Sequence, residues 1–201
     1  MASQHLAPEA SRRARSTVLV VLVVVGAALL GCSDYQSLAA SSPTTSPVTA
    51  SGAADGVVPD GVTVFDDAYP AVTNLDPALY DALRRSATAA AGDGIELFVN
   101  SGWRSRGYQE ELLDDAVSRY GSQEEAARWV ATADTSPHVS GDAVDIGHSD
   151  AAAWLSTHGA DYGLCQVYGN EPWHYELRAD AVDHGCPAAY ADPTQDPRMR
   201  R

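Results

Sequence analysis

The sequence predicts an α+β domain, a small antiparallel sheet with helices packed on one side. Three observations point there. Helical apolar periodicity is concentrated early in the folded region, in Leu75–Ala91 and Arg106–Tyr120, while most extended segments come later. Gly169-Asn170 lies between two strand-like runs and signals a hairpin. The regular strand–helix alternation of a parallel sheet is missing.

The elements follow in order across an expected domain at residues 61–190. Val62–Phe65 reads as a short strand. Asp76 is placed to cap a helix with Pro77 in its first turn, and Leu79, Leu83 and Ala87 share one face of it; Gly92-Asp93-Gly94 ends it. Ile95–Asn100 alternates as a strand does and delivers Ser101 to Arg104 at its end. The helix Arg106–Tyr120 turns Leu112, Leu113, Ala116 and Val117 inward, carries Gln109 near its start and stops at Gly121. Ser122-Gln123-Glu124-Glu125 fits a capping box for a helix from Glu124 to Ala131. Ala143–Ile146 reads as a short buried strand, and Ser149 is placed to cap a helix from Asp150 to His158. Gly163–Tyr168 and Glu171–Leu177 form the two arms of the hairpin, with Pro172 at the start of the second because it cannot donate to a ladder. Ala179–His184 is a short helical piece, and residues 191–201 are expected to fray as a polar tail.

Charge excludes some classes. The chain has 201 residues and a formal charge of −14, and every one of its 13 basic residues is arginine. Such an acidic chain lacks the basic face that phosphate backbones need, so nucleic acid is excluded as a partner. Electrostatic adhesion to anionic lipid is excluded on the same ground.

The N-terminus suggests an address. Arg12, Arg13 and Arg15 precede an apolar run, Thr17–Leu30, which is short for a membrane span but fits a signal peptide. It ends Leu29-Leu30-Gly31-Cys32, which resembles the lipobox of bacterial lipoproteins, where cleavage precedes the cysteine and lipid joins its sulfur. An ordinary signal peptide with a chance cysteine is the alternative. The expectation is a leader over 1–31, lipidation at Cys32 and anchorage to the outer face of the cytoplasmic membrane in a bacterial envelope. Residues 32–60 are rich in Ser, Thr, Ala, Gly and Pro and are expected to be a flexible tether with a reach of roughly 30 Å. Cys165 and Cys186 remain as an even pair in an exported chain. A bridge between them would be worth ~3 kcal/mol on the chain-entropy model; two free thiols are the alternative.

The chemistry is concentrated between Ser136 and Glu176. Ser136-Pro137-His138-Val139-Ser140-Gly141-Asp142-Ala143-Val144-Asp145 supplies an imidazole and a carboxylate. Glu171-Pro172-Trp173-His174 supplies a second imidazole with a glutamate three residues ahead of it. Two neutral imidazoles and one carboxylate are the donor set of a catalytic zinc site with one open position. A nearby glutamate outside the ligand set suits a general base. Singly, each residue has a plainer reading: an isolated histidine is more often a satisfied polar group, and Asp145 could cap a turn. Those readings give no reason for the coincidence in spacing.

Ser-x-His-x-x-Gly-x-Ala-x-Asp followed by Glu-x-Trp-His resembles the zinc D-alanyl-D-alanine peptidases of the VanX and VanY type, the M15 peptidases. Ser101-Gly102-Trp103-Arg104-Ser105 and Gln109 are similar to a third family segment, with Trp103 where tyrosine is usual. The resemblance implies the small-sheet fold of these peptidases, shared with hedgehog-like domains. It implies that His138, Asp145 and His174 bind Zn2+ and that Glu171 is the base. Arg104 would stabilise the developing oxyanion or hold the substrate carboxylate, and Gln109 and Ser136 would contact the terminal D-alanine. The implied activity is removal of that residue from peptidoglycan stem peptides ending in D-Ala-D-Ala, by a monomer. The alternatives are an L,D-carboxypeptidase on tetrapeptide stems, a dipeptidase on free D-Ala-D-Ala and, from another class, a non-catalytic peptidoglycan-binding lipoprotein.

Overall fold

The computed structural model of the chain describes residues 51–200; the leader, Cys32 and tether residues 32–50 lie outside the described residues. Four strands form one antiparallel sheet in the order β1-β2-β4-β3, with β1 at Phe98–Ser101, β2 at Ala143–Gly147, β3 at Leu164–Gln166 and β4 at His174–Leu177. Because side chains alternate across a pleat, this register gives the two faces different jobs. Val144, Ile146, Leu164 and Tyr175 face the core, while Asp145, His174 and Glu176 face the other way.

The core face is covered by α2 (Pro77–Gly92) and α6 (Ser149–His158). Asp76 caps α2 by accepting from the amides of Ala78 and Leu79, and Leu79, Leu83 and Ala87 are buried as their spacing predicts. Leu155 of α6 packs into the same cluster, and the Tyr175 hydroxyl donates to the Ala152 carbonyl at 2.8 Å. The helix α3 (Arg106–Tyr120) is more peripheral than predicted: Ala116 and Gln109 are buried, while Leu112, Leu113 and Val117 are only half-buried. After it, α4 spans only Gln123–Ala126, capped by Ser122 through the Glu125 amide, and does not continue to Ala131. Val62–Phe65 pairs along the β1 edge through one bridge, Thr63 with Phe98. Two single-turn helices were not predicted, α1 (Pro70–Thr73) and α5 (Pro137–Ser140); one turn is too short to show a period. α7 (Ala181–His184) follows the sheet.

Other boundaries differ from expectation, β1 among them, which spans Phe98–Ser101 rather than Ile95–Asn100. Residues 51–60, assigned to the tether, belong to the packed unit: a 3-10 turn at Ala53–Asp55 places Asp55 against Ser105, whose amide donates to the Asp55 carbonyl at 2.8 Å and whose hydroxyl donates to its carboxylate at 3.0 Å. β4 begins at His174 rather than Glu171; in the connection from β3, Gly169-Asn170 does turn the chain, the Glu171 amide donating to the Tyr168 carbonyl at 3.3 Å, but a second turn at Pro172-Trp173, closed by the His174 amide on the Glu171 carbonyl at 3.1 Å, follows before the strand. That connection is held by the chain's C-terminal part, since Gly169 and Asn170 donate to the carbonyls of Tyr190 and Ala191. The polar tail is therefore docked, with Asp192 and Asp196 buried. Cys165 and Cys186 are disulfide-bonded, with 5.5 Å between their Cα atoms, which ties the start of this tail to β3.

Candidate metal centre

His138, Asp145 and His174 are buried together, and one ligand atom from each lies within 4.8 Å of the others. Asp145 on β2 is the register partner of His174 on β4, so the pleat alone sets them side by side on one face. His138 reaches them from α5, whose last residue is followed by Gly141 at φ +82°. Only glycine fits there: a Cβ on Gly141 would lie 2.5 Å from the Asn74 carbonyl oxygen. The reversal after α5 is what lets one short segment carry both His138 and Asp145.

Each imidazole is oriented through the ring nitrogen that points away from the cluster. His138 Nδ1 lies 2.8 Å from the Gly102 carbonyl, which can only accept, so Nδ1 carries the proton and Nε2 presents its lone pair toward Asp145 at 3.4 Å. His174 Nε2 lies 3.3 Å from Glu176 Oε1, leaving Nδ1 facing Asp145 Oδ1 at 3.1 Å. Burial pushes His138 down, with the Arg104 charge acting the same way, so it is held neutral as a metal ligand must be. Burial acts against the charged form of His174 too, but hydrogen bonds to Asp145 and Glu176 outweigh it and raise the group to about 9. Burial likewise opposes the charged form of Asp145, yet the two histidines hold it well below the usual carboxylate range. A field that draws a proton this strongly to His174 also favours a metal cation between the same groups. The donor set suits zinc by ligand type.

Beside the cluster, two buried polar atoms have no partner: Glu171 Oε1 and Ser136 Oγ. Both line a cavity of about 30 Å³, together with Arg104, His174, Pro193 and Met199. Glu171 Oε2 is 3.8 Å from His174 Nδ1, close to the ligand set without belonging to it. Burial drives its carboxyl up to about 7, against the pull of the His174 charge. Buried polar atoms without partners are rare in folded proteins, and these two lie on one cavity beside the ligand set.

Arg104 is locked in place. Its Nε donates to Ser101 Oγ at 2.7 Å, Nη1 to Gln109 Oε1 at 3.1 Å and Nη2 to Asp145 Oδ2 at 3.0 Å. The segment that carries it is pressed onto α1, where the Trp103 amide donates to Ala71 and a Cβ on Gly102 would lie 2.0 Å from the Ala71 oxygen. Both ends of the Gln109 amide are taken, by Arg104 and by the Ala131 carbonyl at 2.8 Å, so in this structure Gln109 braces Arg104. Arg104, Gln109, Ser136, His138, Glu171 and His174 thus line this one cavity, and Asp145 lies behind it against His138, His174 and Arg104.

Others at the centre were not nominated. Glu176 is 1% exposed and pairs with His174, although its placement two residues on, on the same strand face, was legible. Arg198, Asp196, Pro193 and Met199 arrive from the tail and left no local signal.

Comparison with known proteins agrees with this arrangement. The VanY family, D-alanyl-D-alanine carboxypeptidase, matches residues 72–180. A D-alanyl-D-alanine carboxypeptidase of Enterococcus faecalis is 34% identical over 112 residues, covering 43% of this chain and 42% of the relative. The chain therefore spans less than half the length of that curated relative. Among solved structures, VanYB in complex with D-alanine-D-alanine is 27% identical at a TM-score of 0.51, covering 55% of this chain and 74% of that one. A mutant of the vancomycin resistance D,D-pentapeptidase VanY from the VanB-type cassette, in complex with Zn(II), matches equally well, at 27% identity and a TM-score of 0.51 over 55% of this chain and 75% of that one. The LD-carboxypeptidase LdcB is 25% identical at a TM-score of 0.51, covering 65% of this chain and 70% of that one. With over half its length matched by the family and the ligand cluster within the matched segment, the chain belongs to the VanY D-alanyl-D-alanine carboxypeptidase family.

Proposed function

We propose that the chain is a zinc-dependent carboxypeptidase that removes the terminal D-alanine from peptidoglycan stem peptides ending in D-Ala-D-Ala. The observation that carries this reading is the convergence of His138, Asp145 and His174 beside the unpartnered Glu171 carboxylate. His138, Asp145 and His174 hold the ion, which when bound supplies Lewis acidity at the scissile carbonyl. Glu171, with a proton affinity near neutral, takes the proton of the attacking water and returns it to the leaving amine. Among the described residues two of the Arg104 donors have no partner, and they are available to the oxyanion or the terminal carboxylate. Ser136 Oγ contacts the terminal D-alanine, which supplies the partner it lacks. Binding of D-alanine-D-alanine by the related VanYB supports the substrate class.

A second reading, L,D-carboxypeptidase action on tetrapeptide stems, is favoured by the likeness to LdcB. The test is mass spectrometry of two stem peptides incubated with the full chain and zinc. A pentapeptide ending in D-Ala-D-Ala that alone loses one alanine supports the first reading. Loss only from a tetrapeptide moves the substrate to the L,D class. Release from neither refutes carboxypeptidase action and leaves the binding-lipoprotein reading.

The envelope address is part of the same proposal: residues 1–31 direct export, and lipid on Cys32 holds a monomeric enzyme at the outer face of the cytoplasmic membrane. Labelled fatty acid that joins the wild-type chain but not Cys32→Ser supports this; equal labelling of both refutes it.

A further inference from the structure

The C-terminal tail carries a charge network that nothing in the carboxypeptidase reaction requires. Arg198 donates from Nη1 to Glu176 Oε2 at 2.7 Å and from Nη2 to Glu176 Oε1 at 3.0 Å, a two-pronged pair. Its Nε donates to both oxygens of Asp196, at 3.1 and 2.9 Å. Asp196 is fully buried and also accepts from the Tyr168 hydroxyl at 3.0 Å. Glu176 in turn accepts from His174 Nε2, and His174 Nδ1 is the atom turned toward the metal cluster. An unbroken line of hydrogen bonds therefore runs from the tail to a ligand: Asp196, Arg198, Glu176, His174.

The tail is also anchored where this line needs it. Cys165 is the register partner of Glu176, so the Cys165–Cys186 bridge ties the tail to the sheet directly beside that carboxylate. All of Arg198's segment lies beyond residue 180, where the family match ends.

We infer that Arg198 is a positioning residue of the metal centre, setting the Glu176 carboxylate so that it holds the His174 ring with Nδ1 toward the ion. The physical argument is one of geometry and charge. A buried carboxylate on a short strand side chain has several rotamers, and a bidentate guanidinium selects one of them. With both oxygens engaged, Oε1 stays directed at His174 Nε2, which fixes both ring orientation and tautomer. Arg178 also reaches Glu176, at 2.8 Å, but it touches Oε2 alone and leaves the His174-facing oxygen unconstrained. The two arginines are therefore not equivalent, although both neutralise the same charge.

This inference rests on the reading of the cluster as a zinc centre, and the experiment separates the two. Zinc affinity of the full chain, purified in mild detergent, is measured by competition with a chromophoric chelator, and the visible spectrum of the cobalt-substituted protein is recorded alongside. Partners of metal-bound histidines alter affinity by roughly 10–100-fold when removed. Arg198→Met is expected to lose about tenfold in zinc affinity with an altered cobalt spectrum, while Arg178→Met loses less than about threefold. Arg198→Lys keeps the charge but not the fork, and is expected to fall between wild type and Arg198→Met. An Arg198→Met protein with wild-type affinity and spectrum overturns the inference, and so does an equal loss in Arg178→Met. Should Arg198→Met not fold, Arg198→Lys decides: wild-type affinity and spectrum there overturn the inference. A wild-type chain that binds no zinc overturns the metal-centre reading itself.

Discussion

If the proposed function holds, replacing Glu171 by glutamine should abolish turnover, and in any case it should stabilise the metal-free protein. Glu171 is 6% exposed, one of its oxygens has no partner, and burial raises its carboxyl from the ordinary 4.5 to about 7. The sign follows from linkage. Well below pH 4.5 the group is protonated in folded and unfolded chains alike, and it costs nothing extra. As pH rises to about 7 the unfolded chain ionises freely while the folded chain resists, so native stability is progressively lost. Above pH 7 the full difference applies, ~3 kcal/mol at ~1.4 kcal/mol per tenfold change in proton affinity. Glutamine is neutral throughout and removes that cost. For a unit of this size ~3 kcal/mol corresponds to roughly 6–12 °C in Tm. The assay is thermal unfolding of chelator-treated wild type and Glu171→Gln between pH 4 and 8. The expected gain is near zero at pH 4 and largest at pH 8. A gain that does not grow with pH, or a variant less stable than wild type at pH 8, refutes the argument. With zinc restored, turnover should fall by roughly 10²–10⁴, the range for loss of a general base, while the metal is retained.

Other consequences can be measured separately. Cys186→Ser opens a loop with a sequence separation of 21 and should cost about 3 kcal/mol in denaturant unfolding, with wild type under reductant matching it; an unchanged midpoint in both refutes the contribution. Gly141→Ala forces a left-handed backbone and a contact with Asn74, so it should lose at least ~2 kcal/mol of stability along with zinc affinity; wild-type values for both refute the role of this turn. Ser136→Ala removes a hydroxyl with no partner, so Tm should hold or rise slightly while KM for the stem peptide rises several-fold; an unchanged KM places the hydroxyl outside the substrate site.

The local patterns carried a good part of this protein. The spacing of Leu79, Leu83 and Ala87 was enough to place α2 and its buried face, because helix period is a local property. The alternation around Asp145 and His174 was enough to set each opposite the apolar neighbours on its own strand, while the register of β2 with β4 brought the two onto one face. The set His138, Asp145, His174 and Glu171 was legible because metal ligation restricts residue type and spacing within two short segments. The single helical turn before Gly141 was not legible, because one turn shows no period.

Tertiary structure decided the rest. Residues 51–60 and 191–200 have the composition of loose chain, and nothing within either segment predicts order. They are held by partners far away: Asp55 by Ser105, and Arg198 by a glutamate 22 residues earlier. The Arg198 pairing depends on which side chains the sheet turns away from its core face, and that is settled only when β2, β3 and β4 have found their register. The sequence alone thus determined which residues could bind a metal. How they are held was decided by packing, because a buried carboxylate such as Glu176 takes its orientation from whichever charge the folded chain delivers to it.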